Sequence, residues 1–385
     1  MQFLRRISTA RLLALCAAAL AVIVGGTAIA LAATSCGPVP PSKPLANAVH
    51  EAITAPELKG VTARISFKNN PLSGVDLRGS NPILGGADGR LWATNDGHFR
   101  LELQSDGGGG DAQIVSDGKS FWIYDGSSDT VYRGSVPQDR HHHAHEKAPT
   151  VSQIQRHIDD VTQHATVTGP TPGNTAGEPS YTVKTSPKKN GGLLGALAFA
   201  WDANNGAPLR GAIYAKGSNS PVIELKATDI SFGPVDASVF DVSPPARAKS
   251  QSLGQSGDKG HERHGKPVSG LGRVQKHVNF QVAAPSALAG RQRSGVQALG
   301  TDGAVATYGR GLDGVAVIEK SGNASAQESG PLGHTQLPTV SINGSPGQEL
   351  STPLGTVIRF RRGNVTYIVL GSLSHATVES AARGL

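Results

Sequence analysis

Apolar and polar residues alternate at Phe99, Leu101 and Leu103 against Arg100, Glu102 and Gln104, the period of a half-buried strand. The alternation belongs to a longer stretch, Gly89 to Arg133, punctuated by Asn95-Asp96-Gly97, Asp117-Gly118 and Asp125-Gly126. Asp-Gly between apolar runs marks a hairpin because its backbone reaches positive φ cheaply. The stretch therefore predicts an antiparallel meander of about four strands. Phe121-Trp122-Ile123-Tyr124 offers large rings to both faces. A two-stranded ribbon could not bury them, so more strands or a covering helix must complete the sheet.

Upstream, Leu45, Val49 and Ile53 recur at helical spacing just after Pro44, predicting a helix over Leu45 to Ala55 with His50 on a half-exposed face. Val61, Ala63, Ile65 and Phe67 then alternate as a strand, and Asn69 to Asp88 reads as a loop. Downstream, Val151, Ile154, Ile158, Val161 and Ala165 share one helical face, with Gln155, Arg156, Asp159 and Asp160 on the other. This amphipathic helix is the natural cover for the sheet. Strands resume at Tyr181 to Thr185, Ala198 to Asp202, Leu209 to Ala215 and Val222 to Phe232, and Asp236 to Phe240 closes the set. Helix, strands, helix, strands predicts an α+β fold, a curved antiparallel sheet with helices on one side.

Residues 246–268 hold mostly Gly, Ser, Lys and His, the composition of a flexible linker between a first domain over 45–245 and a smaller, strand-rich second domain over 269–385. The second domain reads as strands at Val278 to Val282, Ala304 to Tyr308, Val315 to Lys320, Val340 to Asn343, Thr356 to Phe360 and Val365 to Gly371. A terminal helix, Ser374 to Arg383, follows.

Glycine (49) and proline (24) are abundant and aromatics make up 5 %, which favours short strands and turns over helical bundles. Arg5, Arg6 and Arg11 precede an uncharged apolar run from Leu12 to Ala33, so whatever follows is expected to be exported. Residues 1–35 then form a signal peptide or a membrane anchor, and 36–44 a Pro-rich tether. Three fates stay open: cleavage at Ala28-Ile29-Ala30 or Ala30-Leu31-Ala32, acylation of Cys36 in Ala33-Thr34-Ser35-Cys36, or retention as a span, for which the run is long enough. Losing the three leader arginines lowers the formal charge from +7 to +4. The remaining cations are scattered, so the stacking aromatics and basic stripe of a nucleic-acid binder are missing. Cys16 lies in the apolar run, so a processed chain has no internal disulfide and no paired-cysteine zinc site.

Motifs for chemistry do not assemble into a catalytic set. Gly309-Arg310-Gly311-Leu312-Asp313-Gly314 satisfies G-x-G-x-x-G, but a β-branched strand follows at once where a dinucleotide site needs a helix N-terminus. His98, Asp96 and Asp117 sit at turns, and Asp159-Asp160 are adjacent on a helix and cannot converge on one substrate. His141, His143 and His145, in the tract Asp139 to Glu146, are weak metal-ligand candidates, since imidazole grips transition metals but a flexible loop cannot fix their geometry.

The order Gly89-Arg90, Phe99-Arg100-Leu101-Glu102, Val115-Ser116-Asp117-Gly118-Lys119, Trp122-Ile123-Tyr124-Asp125, Val131-Tyr132-Arg133 resembles the first sheet of the LolA/RseB superfamily. Asp229-Ile230 with Phe240-Asp241-Val242-Ser243-Pro244-Pro245 resembles its closing strand. The ending Tyr367-Ile368-Val369-Leu370-Gly371, then Ala376-Thr377-Val378-Glu379, is similar to the carboxyl domain of RseB/MucB proteins. The resemblance implies a LolA-like half-barrel lidded by helices, whose apolar hollow takes lipid or the acyl chains of lipoproteins, with no catalytic residues and no cofactor. Candidate cavity residues are Leu91, Phe99, Leu101, Leu103, Phe121, Ile123, Ile154, Ile158, Ile213 and Leu225, with Cys36 the lipidation candidate. Three functions compete: an envelope carrier or chaperone for acylated proteins, an RseB/MucB-like regulator that masks an anti-sigma factor, and an envelope protein binding metal through its histidine loop.

Overall fold

The computed structural model describes residues 37–69, 86–105, 110–136, 148–252, 268–322 and 337–385. The leader, Cys36, the histidine tract and residues 253–267 of the expected linker lie outside these. Twelve strands make the first sheet: β1 (Gly60–Asn69), β2 (Ala87–Thr94), β3 (His98–Gln104), β4 (Asp111–Asp117), β5 (Ser120–Asp125), β6 (Thr130–Ser135), β7 (Ala165–Thr175), β8 (Glu178–Pro187), β9 (Leu194–Asp202), β10 (Pro208–Ala215), β11 (Pro221–Phe232) and β12 (Lys249–Ser252). Their order is β12-β6-β5-β4-β3-β2-β1-β11-β10-β9-β8-β7, antiparallel except for the β12–β6 pair. The sheet is open.

The predicted meander is present, with five strands, β2 to β6, where about four were expected. Two of its turns form for the reason the Asp-Gly pairs suggested, with Gly97 and Gly118 at positive φ, while at the β5–β6 turn the positive φ falls on Asp129 and not on Gly126. Between β4 and β5, Gly118 takes φ +81° while the Asp117 carboxylate accepts the Lys119 and Ser120 amides at 2.8 and 2.6 Å. Those bonds, the Ser120 amide foremost, hold the Asp117 carboxyl at about 2, well below its ordinary range. β7 escapes sequence detection because Gly169-Pro170 and Pro172 interrupt it, and as the sheet's edge strand it tolerates prolines that a central strand would not.

Two helices lie at the β7–β9 end. α1 (Leu45–Thr54) buries Ala48 against Tyr181 and Trp201, with Leu45, Val49, Val183 and Phe199 packed around them. Its entry is fixed by Tyr181, whose hydroxyl donates to the Pro41 carbonyl at 2.6 Å. α2 (Val151–His164) packs beside α1 and β7. Thr150 starts it with a capping box: its hydroxyl accepts the Gln153 amide, and the Gln153 side chain accepts the Thr150 amide at 2.8 Å.

The expected closing strand at Asp236 to Phe240 is instead a 3₁₀ turn, Ala237–Val239, in a strap that crosses the sheet's outer face. Arg100 donates to the Val239 carbonyl at 2.6 Å and His98 packs on Phe240 with ring centroids 5.4 Å apart. The strap delivers β12 to the edge beside β6, so residues 249–252 of the expected linker are strand. This strand has no apolar residue to announce it; backbone pairing alone holds it.

The second sheet comprises β13 (Ala287–Leu288), β14 (Arg291–Ala298), β15 (Gly303–Tyr308), β16 (Val315–Ser321), β17 (Thr339–Ile342), β18 (Ser345–Thr352), β19 (Gly355–Arg362) and β20 (Val365–Gly371) in the order β13-β14-β15-β16-β20-β19-β18-β17. α3 (Leu271–His277) and α4 (His375–Arg383) pack on one face, where Val274, Val317, Ile358, Val369, Val378 and Ala381 are fully buried. The predicted strand at Val278 to Val282 is instead a bend over 278–280 running into irregular chain without ladder partners. The G-x-G-x-x-G stretch joins β15 to β16 through a 3₁₀ turn, Gly311–Asp313, with Gly309 at φ +77° and Gly311 at φ +59°, so its glycines serve a hairpin. The Leu193 amide donates to the Ser372 carbonyl at 2.8 Å and the Asp313 amide to the Asn190 carbonyl at 3.1 Å, tying the β8–β9 connection to the second sheet.

Glu319 on β16 sits in this core with no exposed surface. One carboxylate oxygen accepts the Ala283 amide at 2.8 Å, and the other has no hydrogen-bond partner. Burial pushes its carboxyl up to about 7 from an ordinary 4.5. A raised carboxyl favours the protonated folded state, so stability should fall as pH rises from about 4.5 through about 7. Glu319→Gln is expected to remove that slope and to add up to about 3 kcal/mol at pH 8, read by denaturant unfolding across pH. An unchanged slope in the variant would show that another group carries the dependence.

Candidate functional site

Strand register decides which side chains share a face. Across the first sheet one row reads Phe121, Ser116, Phe99, Ala93, Val61, Phe232. The next reads Ile123, Ile114, Leu101, Leu91, Ala63, Ile230, and the third Asp125, Ala112, Leu103, Gly89, Ile65, Ala227. A fourth runs Ala87, Phe67, Leu225, Gly211, Phe199, Val183, and a fifth Ile223, Ile213, Leu197, Thr185, Val167. Every row lies on the face that α1 covers at its far end, because Phe199 and Val183 are among the residues packed around Ala48. The opposite face mixes charged pairs with a small apolar cluster: Arg64 opposes Arg90 and Asp229, Arg210 donates to Glu224 at 2.6 Å and to the Tyr214 hydroxyl at 2.8 Å, and Ala196, Ala198, Ala212 and Tyr214 are buried together.

All eight strand candidates, Leu91, Phe99, Leu101, Leu103, Phe121, Ile123, Ile213 and Leu225, therefore stand on one face. They differ in depth. Leu103 is buried in a cluster with Ala63, Ile65, Ala112, Ala227 and Leu209, while Leu91 and Leu101 pack against that cluster and stay half-buried. Phe99, Phe121, Ile123 and Ile213 are half-buried, and Leu225 is 44 % exposed. The two helical candidates stand apart at the covered end, Ile154 buried and Ile158 half-buried on α2.

The small residues of the third row, Ala112, Gly89 and Ala227, let the sheet curl. Gly89 lets β2 approach β3 so closely that a Cβ there would lie 2.1 Å from the Glu102 carbonyl oxygen. Leu103 on β3 and Leu209 on β10 join one cluster although three strands lie between them, and Ala176 at the β7–β8 turn packs against it. The curl fills the middle of the hollow with the protein's own side chains. Apolar surface remains open in the first two rows and beside Leu225, where Gly211 leaves a notch: a Cβ there would meet no atom within 4 Å. A small cavity of about 80 Å³ lies between the end of α1 and the first row, lined by Ala52, Leu58, Val61, Ala93 and Pro208.

Sequence reasoning missed Phe67, Ile114, Ile223 and Gly211 as members of this face. Phe67 was legible in the β1 alternation; Gly211 carried no signal, since its role is the volume it leaves empty. Asp96 and Asp117 act as turn residues. The Thr94 hydroxyl, then His98, hold the Asp96 carboxyl at about 2. Among the described residues no group of three or more His, Cys, Asp or Glu side chains could hold a metal ion, and no helix is long and apolar enough to cross a membrane. Cys36, His141, His143 and His145 lie outside the described residues.

An open, helix-lidded sheet followed by a smaller sheet with its own helices is the α+β architecture expected from the sequence. No family model matches the chain. No curated protein matches it either. Among solved structures it is similar to MucB in complex with MucA(peri), at 13 % identity over 87 % of this chain and 96 % of that one, TM-score 0.43. It is also similar to the Pseudomonas aeruginosa MucA/MucB complex, at 14 % identity over 88 % and 96 %, TM-score 0.42. A LolA superfamily protein of Nitrosomonas europaea matches at 9 % identity over 51 % of this chain and 95 % of that one, TM-score 0.20.

Because Gly89 sits where two strands nearly touch, Gly89→Ala should force β2 and β3 apart and destabilise the protein by about 1–3 kcal/mol. Thermal or urea unfolding that leaves the variant equal to wild type would show that this approach does not set the curl.

Proposed function

We propose that the protein is a non-catalytic lipid-binding protein of the cell envelope, taking lipid or the acyl chains of lipoproteins on the concave face of its first sheet as a carrier or chaperone. The observation that supports it most is the run of large apolar side chains, Phe99, Leu101, Leu91, Ile114, Phe121, Ile123 and Leu225, that share one face and keep contact with solvent. A contiguous exposed apolar face is unfavourable in water, so its persistence points to an apolar ligand. The centre of the hollow is filled, so hydrocarbon has room along the first two rows and into the Gly211 notch. In this reading the chain is exported, the leader or Cys36 holds it at the membrane, and the part of the expected 246–268 linker that follows β12 separates a ligand-binding domain from a smaller one.

A second reading follows from the second sheet. MucB is described in complex with MucA(peri), and a two-part chain of this arrangement suits an RseB/MucB-like regulator that masks an anti-sigma factor. The metal-binding reading rests on His141, His143 and His145 alone.

Protein isolated from its native membrane should carry acyl chains detectable by lipid mass spectrometry. Phe121→Asp and Leu101→Asp should lower lipid content several-fold. Gly211→Trp should do the same while leaving thermal stability near wild type, because it fills space that is empty. Unchanged lipid content in all three variants would sink the cavity assignment.

A further inference from the structure

The stretch that follows the leader is pinned to one end of the first sheet. The Asn174 side chain donates to the Pro38 carbonyl at 3.1 Å, and Gly37 lies against the same side chain with no room for a Cβ. From the next strand the Tyr181 hydroxyl holds the Pro41 carbonyl at 2.6 Å. Asn174 ends β7, and Ala176 in the turn beyond it packs against the Leu103 cluster together with Val61, Leu91, Leu101 and Phe232. Those four belong to the two open rows of the concave face, so the chain enters the fold at the mouth of the hollow. The cavity lined by Leu58, Val61, Ala93 and Pro208 lies at the same end. The second sheet is tied on through Asn190 and Leu193 beyond the other end of β8, a ten-residue strand about 33 Å long.

The distance from this mouth to a membrane attachment is short under either anchoring fate. With the apolar run retained as a span, Ala33 ends it and four residues carry the chain to Gly37, at most about 14 Å. With Cys36 acylated the separation is one residue, about 4 Å. Val39, in the same pinned stretch, is 57 % exposed, the most of any large apolar residue described. We propose that the mouth, formed by Val39, the β2–β3 and β7–β8 turns and the Pro56–Lys59 loop, rests on the lipid surface to which the N-terminus is attached. Acyl chains then pass between the bilayer and the first two rows without crossing water. The proposal rests on the anchored, lipid-binding reading above and adds which end of the fold meets the membrane. The attachment sets this orientation and charge does not. Glu57, Asp96 and Asp117 stand at this end beside Lys59 and Lys119, which is no basic patch for anionic lipid.

The test uses the full chain reconstituted in phosphatidylcholine vesicles, with its intact mass showing whether the leader or an acyl group is retained. An environment-sensitive fluorescent amino acid is placed by codon suppression at Glu57 or Asn95, both exposed at the mouth, or at Asn219, exposed in the β10–β11 turn at the far end. Emission from Glu57 and Asn95 should shift to the blue and be quenched by lipid brominated in its acyl chains, while Asn219 stays as in water. Adding phosphatidylglycerol should leave that contrast unchanged. Inserting about twenty Gly and Ser residues between Gly37 and Pro38 lets the fold stand off by about 25 Å and should abolish both signals. Circular dichroism checks that each labelled chain is folded. Equal emission from the two ends, a stronger shift at Asn219, or signals that survive the insertion would each overturn the proposal. Lipid content by mass spectrometry judges the lipid-binding reading separately. A mass showing cleavage ahead of Gly37 removes the attachment and overturns the proposal outright.

Discussion

The pairing of β1 with β11 holds the first sheet together. Nine residue pairs, Val61 with Phe232 through Asn69 with Ile223, join segments separated by most of the first sheet's chain. On one side of the seam lies the β2–β6 meander, on the other the β11–β7 run, and each by itself consists of local hairpins. Closing so long a loop costs chain entropy that only burial at the seam can offset. Ala63 and Ile65 of β1 and Ala227 and Ile230 of β11 provide that burial. A register shift between Arg64 and Ile65 adds local twist at the same place, and a bulge of this kind bends a sheet where it sits.

The curl and the half-open apolar face have one origin. Where the facing side chains are Ala, Gly and a few branched aliphatics, the sheet closes on itself and excludes water. Phe and Ile positions farther from the seam cannot close in the same way and stay half-buried. The strap of residues 233–248 reinforces the shape from outside: Arg100 reaches across to Val239 and stacks over Trp92 at 5.4 Å. The second sheet solves the burial problem differently, with two helices on one face and the Glu319 carboxyl sealed beneath them.

Much of this was legible in the chain. The alternation at Phe99–Leu103 put those residues on one face because a strand leaves no other option, and the Asp-Gly turns spaced the meander. Val151–His164 was readable as a helix from its stripe and its Thr150–Gln153 cap. The elements that escaped detection share a cause: β7 with its prolines, β12 with four polar residues, and β14, Arg291–Ala298, with few apolar ones, depend on a neighbour's backbone for their structure. α3, Leu271–His277, is too short to show a period. The strap looked like a strand because Val239, Phe240 and Val242 are strand-formers, yet it lies across the sheet and not within it.

The sequence by itself determined which residues are apolar partners of one another within each strand, where the turns fall, and that two helices must cover something. Tertiary structure decided how deep each of those residues lies: Leu103 sealed, Leu101 half-open, Leu225 exposed over nearly half its surface. That difference cannot be read locally, because it depends on which small residues four strands away allow the sheet to curl, and on a space at Gly211 that no side chain marks. Alternation along a strand settles direction; only long-range pairing settles distance.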